Sequence, residues 1–191
     1  MGLILASTSK YRSQLLERLG VPFQSIAPDV DEHAARRPEW SPQELATELA
    51  RLKVESVAQR FPDDVIIGSD QVAECDGEVL DKPGTQERAI FQLRQLSGRV
   101  HTLWTAVAIM SPAGQISHWD RTQLQMRTLS RAEIERYIEH DQPLDCAGSY
   151  KIESRGIALF DSISTEDHTA IIGLPLIFVT TRLRMLGFAV P

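Results

Sequence analysis

The chain has 191 residues, 42% hydrophobic and 24% charged, with 20 Lys and Arg against 26 Asp and Glu and a net charge of −6. That length fits one domain, or one domain with two lobes sharing a core, and needs no staple. The composition excludes disordered and fibrous classes, and the negative balance argues against a nucleic-acid partner. A small anionic ligand stays open, because a few local cations and a metal can dominate one pocket. Cys75 and Cys146 form no CxxC pair, so neither a zinc site nor a disulfide framework is expected, and a reduced, cytoplasmic setting follows. The apolar start at 1–6 is too short for a signal segment, and Ala6 stands where a myristoylation signal wants Ser or Thr. No run is long enough to span a membrane, so no membrane partner is expected.

In chain order, Leu3 to Ala6 reads as a buried strand, and Ser7-Thr8-Ser9 as a loop and cap. A helix is expected from about Lys10 to Leu19, stopped by Gly20, with an apolar face of Leu15, Leu16 and Leu19. Phe23 to Ile26 reads as a short strand and Pro28 to Trp40 as a polar loop. Ser41-Pro42-Gln43-Glu44 combines an N-cap Ser, Pro at the first helical position and Glu at the capping-box position. Leu45, Leu49, Leu52 and Val57 carry that helix to about Arg60, with Lys53 beside the apolar stripe.

Val65 to Ser69 and Val72 to Cys75 read as two strands, with a break at Gly68 that places Asp70 at an edge or bend. Asp76-Gly77 signals a hairpin returning through Glu78 to Leu80. A turn at Asp81-Lys82-Pro83-Gly84 precedes a helix from about Gln86 to Leu96. Val100 to Met110 and Ile116 to Arg127 read as long antiparallel strands. Ser130-Arg131-Ala132-Glu133 is a second capping box, opening a helix to about His140. Cys146 to Gly156 is a glycine-containing segment, Ile157 to Phe160 a strand and Asp161 to Asp167 a polar loop. A last helix is expected from Pro175 to Leu186. Alternating helices and strands with interspersed hairpins favour an α/β domain with a mixed central sheet.

Several groups of residues could carry chemistry. After the first strand, Ser7 to Arg12 offers backbone N–H groups at a helix start, hydroxyl donors and a guanidinium fork, all suited to phosphate. Its plain alternative is a serine cap beside a solvated Arg, and no P-loop pattern is present. Asp70 and Glu32, with Asp29 or Asp31 as further candidates, could hold a hard cation through oxygen, or orient a water. Their plain alternative is a set of surface acids. Lys53 and Lys82 are point charges for phosphate, although a helical lysine is usually solvated. None of the five histidines has HxxH or HExxH spacing, so zinc hydrolysis is not expected, and His101 and His118 read as structural. Cys146 reads as a buried small residue rather than a nucleophile.

These landmarks stand in an order that resembles one known family. They are Leu5-Ala6-Ser7-Thr8-Ser9, Asp31-Glu32, Lys53, Ile67-Gly68-Ser69-Asp70-Gln71, Asp81-Lys82-Pro83, Leu96-Ser97-Gly98, Ala147-Gly148-Ser149-Tyr150 and Gly173-Leu174-Pro175-Leu176. Over nearly its whole length the chain is similar to the Maf family, nucleotide pyrophosphatases of the septum-formation-inhibitor type. The resemblance implies one domain over 1–191 with an inosine-triphosphatase-like α/β fold, helices flanking the sheet and two lobes around a cleft. It implies a homodimer, a divalent cation (Mg²⁺ or Mn²⁺), and cleavage of a nucleoside triphosphate between the α and β phosphates. Asp70 would then be the proton acceptor and a metal ligand with Glu32, while Ser7, Arg12, Lys53 and Lys82 would bind phosphates.

One departure stands out: the family often reads Ser-Pro-Arg-Arg where this chain has Ser9-Lys10-Tyr11-Arg12. Tyr11, Gln71 and Glu153 are similar to the branch acting on 7-methyl-GTP, which carries an aromatic residue, Gln and Glu there. The dTTP and UTP branch looks like Arg, Thr and Gln. The physics is consistent, because a 7-methylated guanine is a cation that an aromatic face attracts and a carboxylate neutralises. In the plain alternative, Tyr11 packs on its helix and Glu153 is a solvated loop acid. Two rival functions remain: a dTTP/UTP pyrophosphatase of the same family, and a non-catalytic nucleotide-binding regulator of septum formation.

Overall fold

The computed structural model describes residues 1–190. Seven strands form one mixed sheet, in the order β2-β1-β3-β5-β6-β7, with β4 paired to β3. Strand β1 (Leu3–Ala6) lies parallel to both β2 (Gln24–Ile26) and β3 (Val65–Cys75). A parallel neighbour requires a crossover, and α1 (Lys10–Glu17) and α2 (Pro42–Ala58) supply the two crossovers here. Strand β4 (Glu78–Leu80) returns antiparallel to β3 through the Asp76–Gly77 turn, where both residues have positive φ. The remaining elements are α3 (Gln86–Leu96), β5 (Val100–Ser111), β6 (Gly114–Met126), α4 (Arg131–Asp141), β7 (Phe160–Ser164) and α5 (Leu176–Met185).

Backbone contacts divide the chain into two compact units, the first comprising 1–71, 105–120 and 167–191 and the second 72–104 and 121–166. In the first, Leu3, Leu5, Val65 and Ile67 meet Leu15 and Leu16 of α1 and Val179 and Leu183 of α5. Alternate residues of β1 and β3 thus face one core, and each fully buried Leu contributes roughly 2–3 kcal/mol. In the second, α3 packs on α4, and Leu93, Leu96, Leu103, Leu124, Met126, Ile134 and Ile138 are buried.

Both capping boxes form: Ser41 and Ser130 each exchange side-chain and backbone hydrogen bonds with the Glu three residues on. Two expectations are corrected. First, β3 is one continuous strand through Asp70 rather than two strands broken at Gly68. Gly68 is there for close approach, not for a bend. A Cβ would lie 2.6 Å from Val54 Cγ2 and 2.8 Å from Ala50 O, so only glycine lets α2 lie this close to β3. Second, Arg155–Leu159 is a 3₁₀ turn, and the strand begins at Phe160 and runs to Ser164. The apolar pair Ile157-Ala158 is misleading, because pairing with β6 (Met126 opposite Phe160, Gln123 opposite Ser164) selects the polar stretch that follows it.

Candidate active site

The first unit brings Arg12, Glu32, Lys53 and Asp70 together. Lys53 lies in the buried stripe of α2, four residues after Leu49 and four before Val57, so its stem follows apolar neighbours inward. Its Nζ donates to Asp70 Oδ1 at 2.5 Å and pairs with Glu32 Oε1 at 2.7 Å. The lysine and aspartate side chains are 6% and 9% exposed, whereas Glu32 is 43% exposed. One ammonium therefore bridges two carboxylates, one deep and one near solvent. Lys53 is not the solvated helix lysine of the plain reading.

Asp70 feels opposing influences. Burial raises its pKa above the ordinary carboxylate value and is the largest cause; the charges of Lys53 and Arg12 pull it back down. A carboxyl held in this way is poised to take a proton. Arg12 shows the converse: burial lowers its pKa, while Asp70 and Glu32 raise it.

Arg12 is aimed by the backbone. Its Nε donates to Gly173 O at 2.9 Å, a bond that uses neither terminal guanidinium nitrogen. That leaves a two-pronged donor for a tetrahedral anion. Gly173 sits at φ +121°, and a Cβ there would reach 3.4 Å from Arg12 Nε. Ser69 Oγ, fully buried, lies 2.7 Å from both Gly173 O and Ala106 O. Ser7 is buried, and its Oγ accepts the Ser9 N–H at 3.1 Å. Ser9 caps α1 by accepting the Arg12 N–H at 3.5 Å.

The specificity candidates are distributed as follows. Tyr11 is half-buried on α1, and Lys10 Nζ sits 4.9 Å from its ring centroid, so a cation already rests on that ring. Gln71 follows Asp70 on β3 and donates through Nε2 to Thr105 Oγ1, Ala170 O and Ile171 O. Lys82, on the loop after β4, and Glu153, on a turn before β7, are exposed residues of the second unit. Asp31 works locally: its Oδ1 accepts the His33 and Ala34 N–H groups, both at 3.0 Å, and so shapes the turn carrying Glu32.

The residues present fit one kind of metal. Among the described residues no three His, Cys, Asp or Glu side chains converge, which does not suit zinc. Magnesium or manganese fits better, because such ions take one or two carboxylates, here Asp70 and Glu32, and complete their shell with water and substrate phosphate. Sequence reasoning missed Ser69, Thr105, Asp167 and Thr169. Asp167 Oδ1 accepts from Thr169 N and Oγ1, its Oδ2 accepts from Ile177 N at 2.7 Å, and Thr169 Oγ1 accepts from Leu176 N. These two buried residues cap α5 from outside and shape the segment holding Gly173. A usable signal was present, an Asp-x-Thr pair upstream of a helix that lacks its own capping side chain.

Comparison with solved structures defines the class of fold. A Ham1 protein of Staphylococcus aureus superposes with a TM-score of 0.57 at 14% identity, covering 97% of this chain and 100% of its own. A HAM1 protein of Coxiella burnetii gives 0.55 at 14% identity, covering 97% and 99%. At that identity the likeness concerns the fold alone, and the fold is the mixed α/β one of the Ham1 proteins. Residues 2–186 match the family described as Maf-like protein, and the chain belongs to that family. A protein of Xanthomonas axonopodis pv. citri named 7-methyl-GTP pyrophosphatase is 51% identical over 99% of this chain and 98% of its own length. One of the same name from Bdellovibrio bacteriovorus is 49% identical over 92% of each chain.

Proposed function

We propose that this protein is a nucleoside triphosphate pyrophosphatase that hydrolyses 7-methyl-GTP to the monophosphate and pyrophosphate. The observation carrying this reading is the near-50% identity, along the whole chain, to proteins named for that activity. The cluster around Asp70 supplies the chemistry. Water attacks the α phosphorus, its proton passes to an Asp70 oxygen, and the bond from the α phosphorus to the bridging oxygen breaks, releasing pyrophosphate. Lys53 holds Asp70 in place and lends it counter-charge until the proton arrives. Arg12, with Ser7 and Lys82, binds phosphate oxygens, and the guanidinium fork steadies the leaving group. Tyr11 and Glu153 favour a cationic base over a pyrimidine. A divalent cation held by Asp70 and Glu32 would supply charge neutralisation across the phosphates.

The reading includes a small nucleotide rather than a nucleic acid as partner, one catalytic domain, a homodimer and a cytoplasmic setting. No described helix is long and apolar enough to cross a membrane. Analytical ultracentrifugation tests the dimer. Pyrophosphate release from 7-methyl-GTP, GTP, inosine triphosphate, dTTP and UTP, with Mg²⁺ or Mn²⁺, tests the reaction. The expected result is preferred turnover of 7-methyl-GTP, with Asp70→Asn lower by at least about 10³-fold. Preference for dTTP or UTP would transfer the chain to the pyrimidine reading, and absence of any turnover to the regulatory one.

A further inference from the structure

Gln71 is held in one amide orientation by its partners. Its Nε2 lies 2.9 Å from Thr105 Oγ1, 3.0 Å from Ala170 O and 3.1 Å from Ile171 O. Two of these are carbonyl oxygens, which only accept. The third belongs to a hydroxyl whose single hydrogen goes to Ala170 O at 2.9 Å, so that it too must accept from Gln71. A flipped amide would set Oε1 against two carbonyls, and could keep a bond to the hydroxyl only by taking its hydrogen away from Ala170 O. Both Nε2 hydrogens are therefore committed to the protein, and Oε1 is the end offered to a ligand. Thr105 is fully buried, which keeps water from substituting for it. The carbonyls are themselves fixed, because Ala170 N donates to Asp167 O at 3.0 Å and Asp167 is anchored on Thr169 and the start of α5.

We propose that Thr105 is a positioning residue for nucleobase selection. Together with the Ala170 and Ile171 carbonyls it holds the Gln71 amide with Oε1 outward, which makes that position a hydrogen-bond acceptor and selects a nucleotide presenting an N–H or O–H donor there. The inference deepens the proposed function and rests on Gln71 meeting the substrate. Thr105 itself touches no reacting atom. A bond so placed in a buried network contributes on the order of a fivefold preference.

The test compares wild type, Thr105→Val and Thr105→Ser. Valine keeps the shape and removes both hydrogen bonds, while serine restores them. The first readout is the ratio of kcat/KM between the best and worst nucleotides of the panel above, whichever the wild type prefers. It should fall about fivefold in Thr105→Val and return to within about twofold of wild type in Thr105→Ser. A merely structural role would shift thermal stability and leave the ratio in place. The second readout needs no substrate: exchange of the Gln71 side-chain amide hydrogens with solvent, followed by NMR. They should be protected in wild type and Thr105→Ser, and exchange measurably faster in Thr105→Val, where only the two carbonyl acceptors remain. A ratio retained in Thr105→Val overturns the proposal, as does a wild-type Gln71 amide that exchanges like that of a free glutamine. The second result can be read even if the valine variant does not fold. Wild-type preference for a pyrimidine would sink the proposed function while leaving this comparison readable.

Discussion

Two buried groups of this protein treat their titratable side chains differently. In the first unit, Lys53 bridges Asp70 and Glu32. In the second, His101 lies within an aromatic group, its Nε2 2.9 Å from Tyr150 OH and its ring 5.8 Å from that of Phe160, centroid to centroid. Desolvation is the largest influence on both Asp70 and His101. What differs is the opposition. Asp70 has Lys53 and Arg12 pulling against burial, which still prevails; His101 has no charged neighbour opposing burial, and its pKa falls to about 4. The lesson is that burial alone neutralises a group, and charge persists inside only where a counter-charge is buried with it. A neutral, aromatic-packed His101 belongs to the scaffold, as its strand position predicts. Cys146 is only partly buried rather than buried as its sequence suggests, yet desolvation and then the Asp145 charge push its thiol up to about 12, which disfavours the thiolate.

The largest expected effect comes from removing the counter-charge. Lys53→Met should lower kcat/KM on the order of 10²–10³-fold, and leave Asp70 protonated to higher pH. It should also reduce stability by roughly 1–3 kcal/mol, less than for a wholly buried pair because Glu32 is 43% exposed. Initial rates and chemical unfolding measure the two, and an unimpaired rate would remove Lys53 from the site.

Next in size is the response to acid, which has opposite sign in the two groups. The folded state refuses a proton that an unfolded histidine takes near pH ~6.5, so the contribution of His101 is present above that value and lost as pH falls toward about 4. The loss amounts to at most roughly 3 kcal/mol, and His101→Gln should flatten it in unfolding curves taken across that range. Asp70 runs the other way: its raised pKa favours the folded state at low pH, and that benefit disappears as pH rises through the raised value. As a base it must be ionised, so the acid limb of the rate profile should lie above the usual carboxylate value of ~4. An acid limb at or below that value would argue against Asp70 as the base.

Gly68→Ala tests whether helix approach sets the ion-pair group. The added methyl meets Val54 and the Ala50 carbonyl and should destabilise by roughly 1–3 kcal/mol, with reduced activity as Lys53 moves off Asp70. Thermal unfolding and rates measured together would show it, and a neutral substitution would mean that α2 tolerates the displacement. The smallest effect concerns a cation facing a ring rather than a carboxylate. Lys10→Met clears the exposed lysine from Tyr11, and should improve the KM for 7-methyl-GTP by roughly two- to threefold and leave that for GTP in place. Equal changes for both nucleotides would separate Tyr11 from recognition of the methylated base.

Much of this was legible in the order of residues alone. Caps, glycine stops and 3.6-residue periodicity are local signals, and they located the helices and both capping boxes. Residue types and family-like spacing mark Ser7, Arg12, Glu32, Lys53 and Lys82 as candidates to meet Asp70, and the contacts of the first unit join four of these six residues: Arg12, Glu32, Lys53 and Asp70. What remained hidden was non-local. Gly68 reads as a strand break, because nothing near it in the chain reveals that α2 presses against it. The strand at Phe160–Ser164 is polar and acquires its conformation from pairing with β6.

The sequence by itself therefore determined which elements form and which side chains carry charge, since those depend on neighbours within a few residues. Only the tertiary structure decided that Lys53 is buried between two acids, that Gly173 O aims Arg12 and that Thr105 orients Gln71. Each of these is a hydrogen bond or ion pair between segments 17 to 161 residues apart. Such bonds are specified by packing, which removes water and leaves each buried polar group the partner that the fold places beside it.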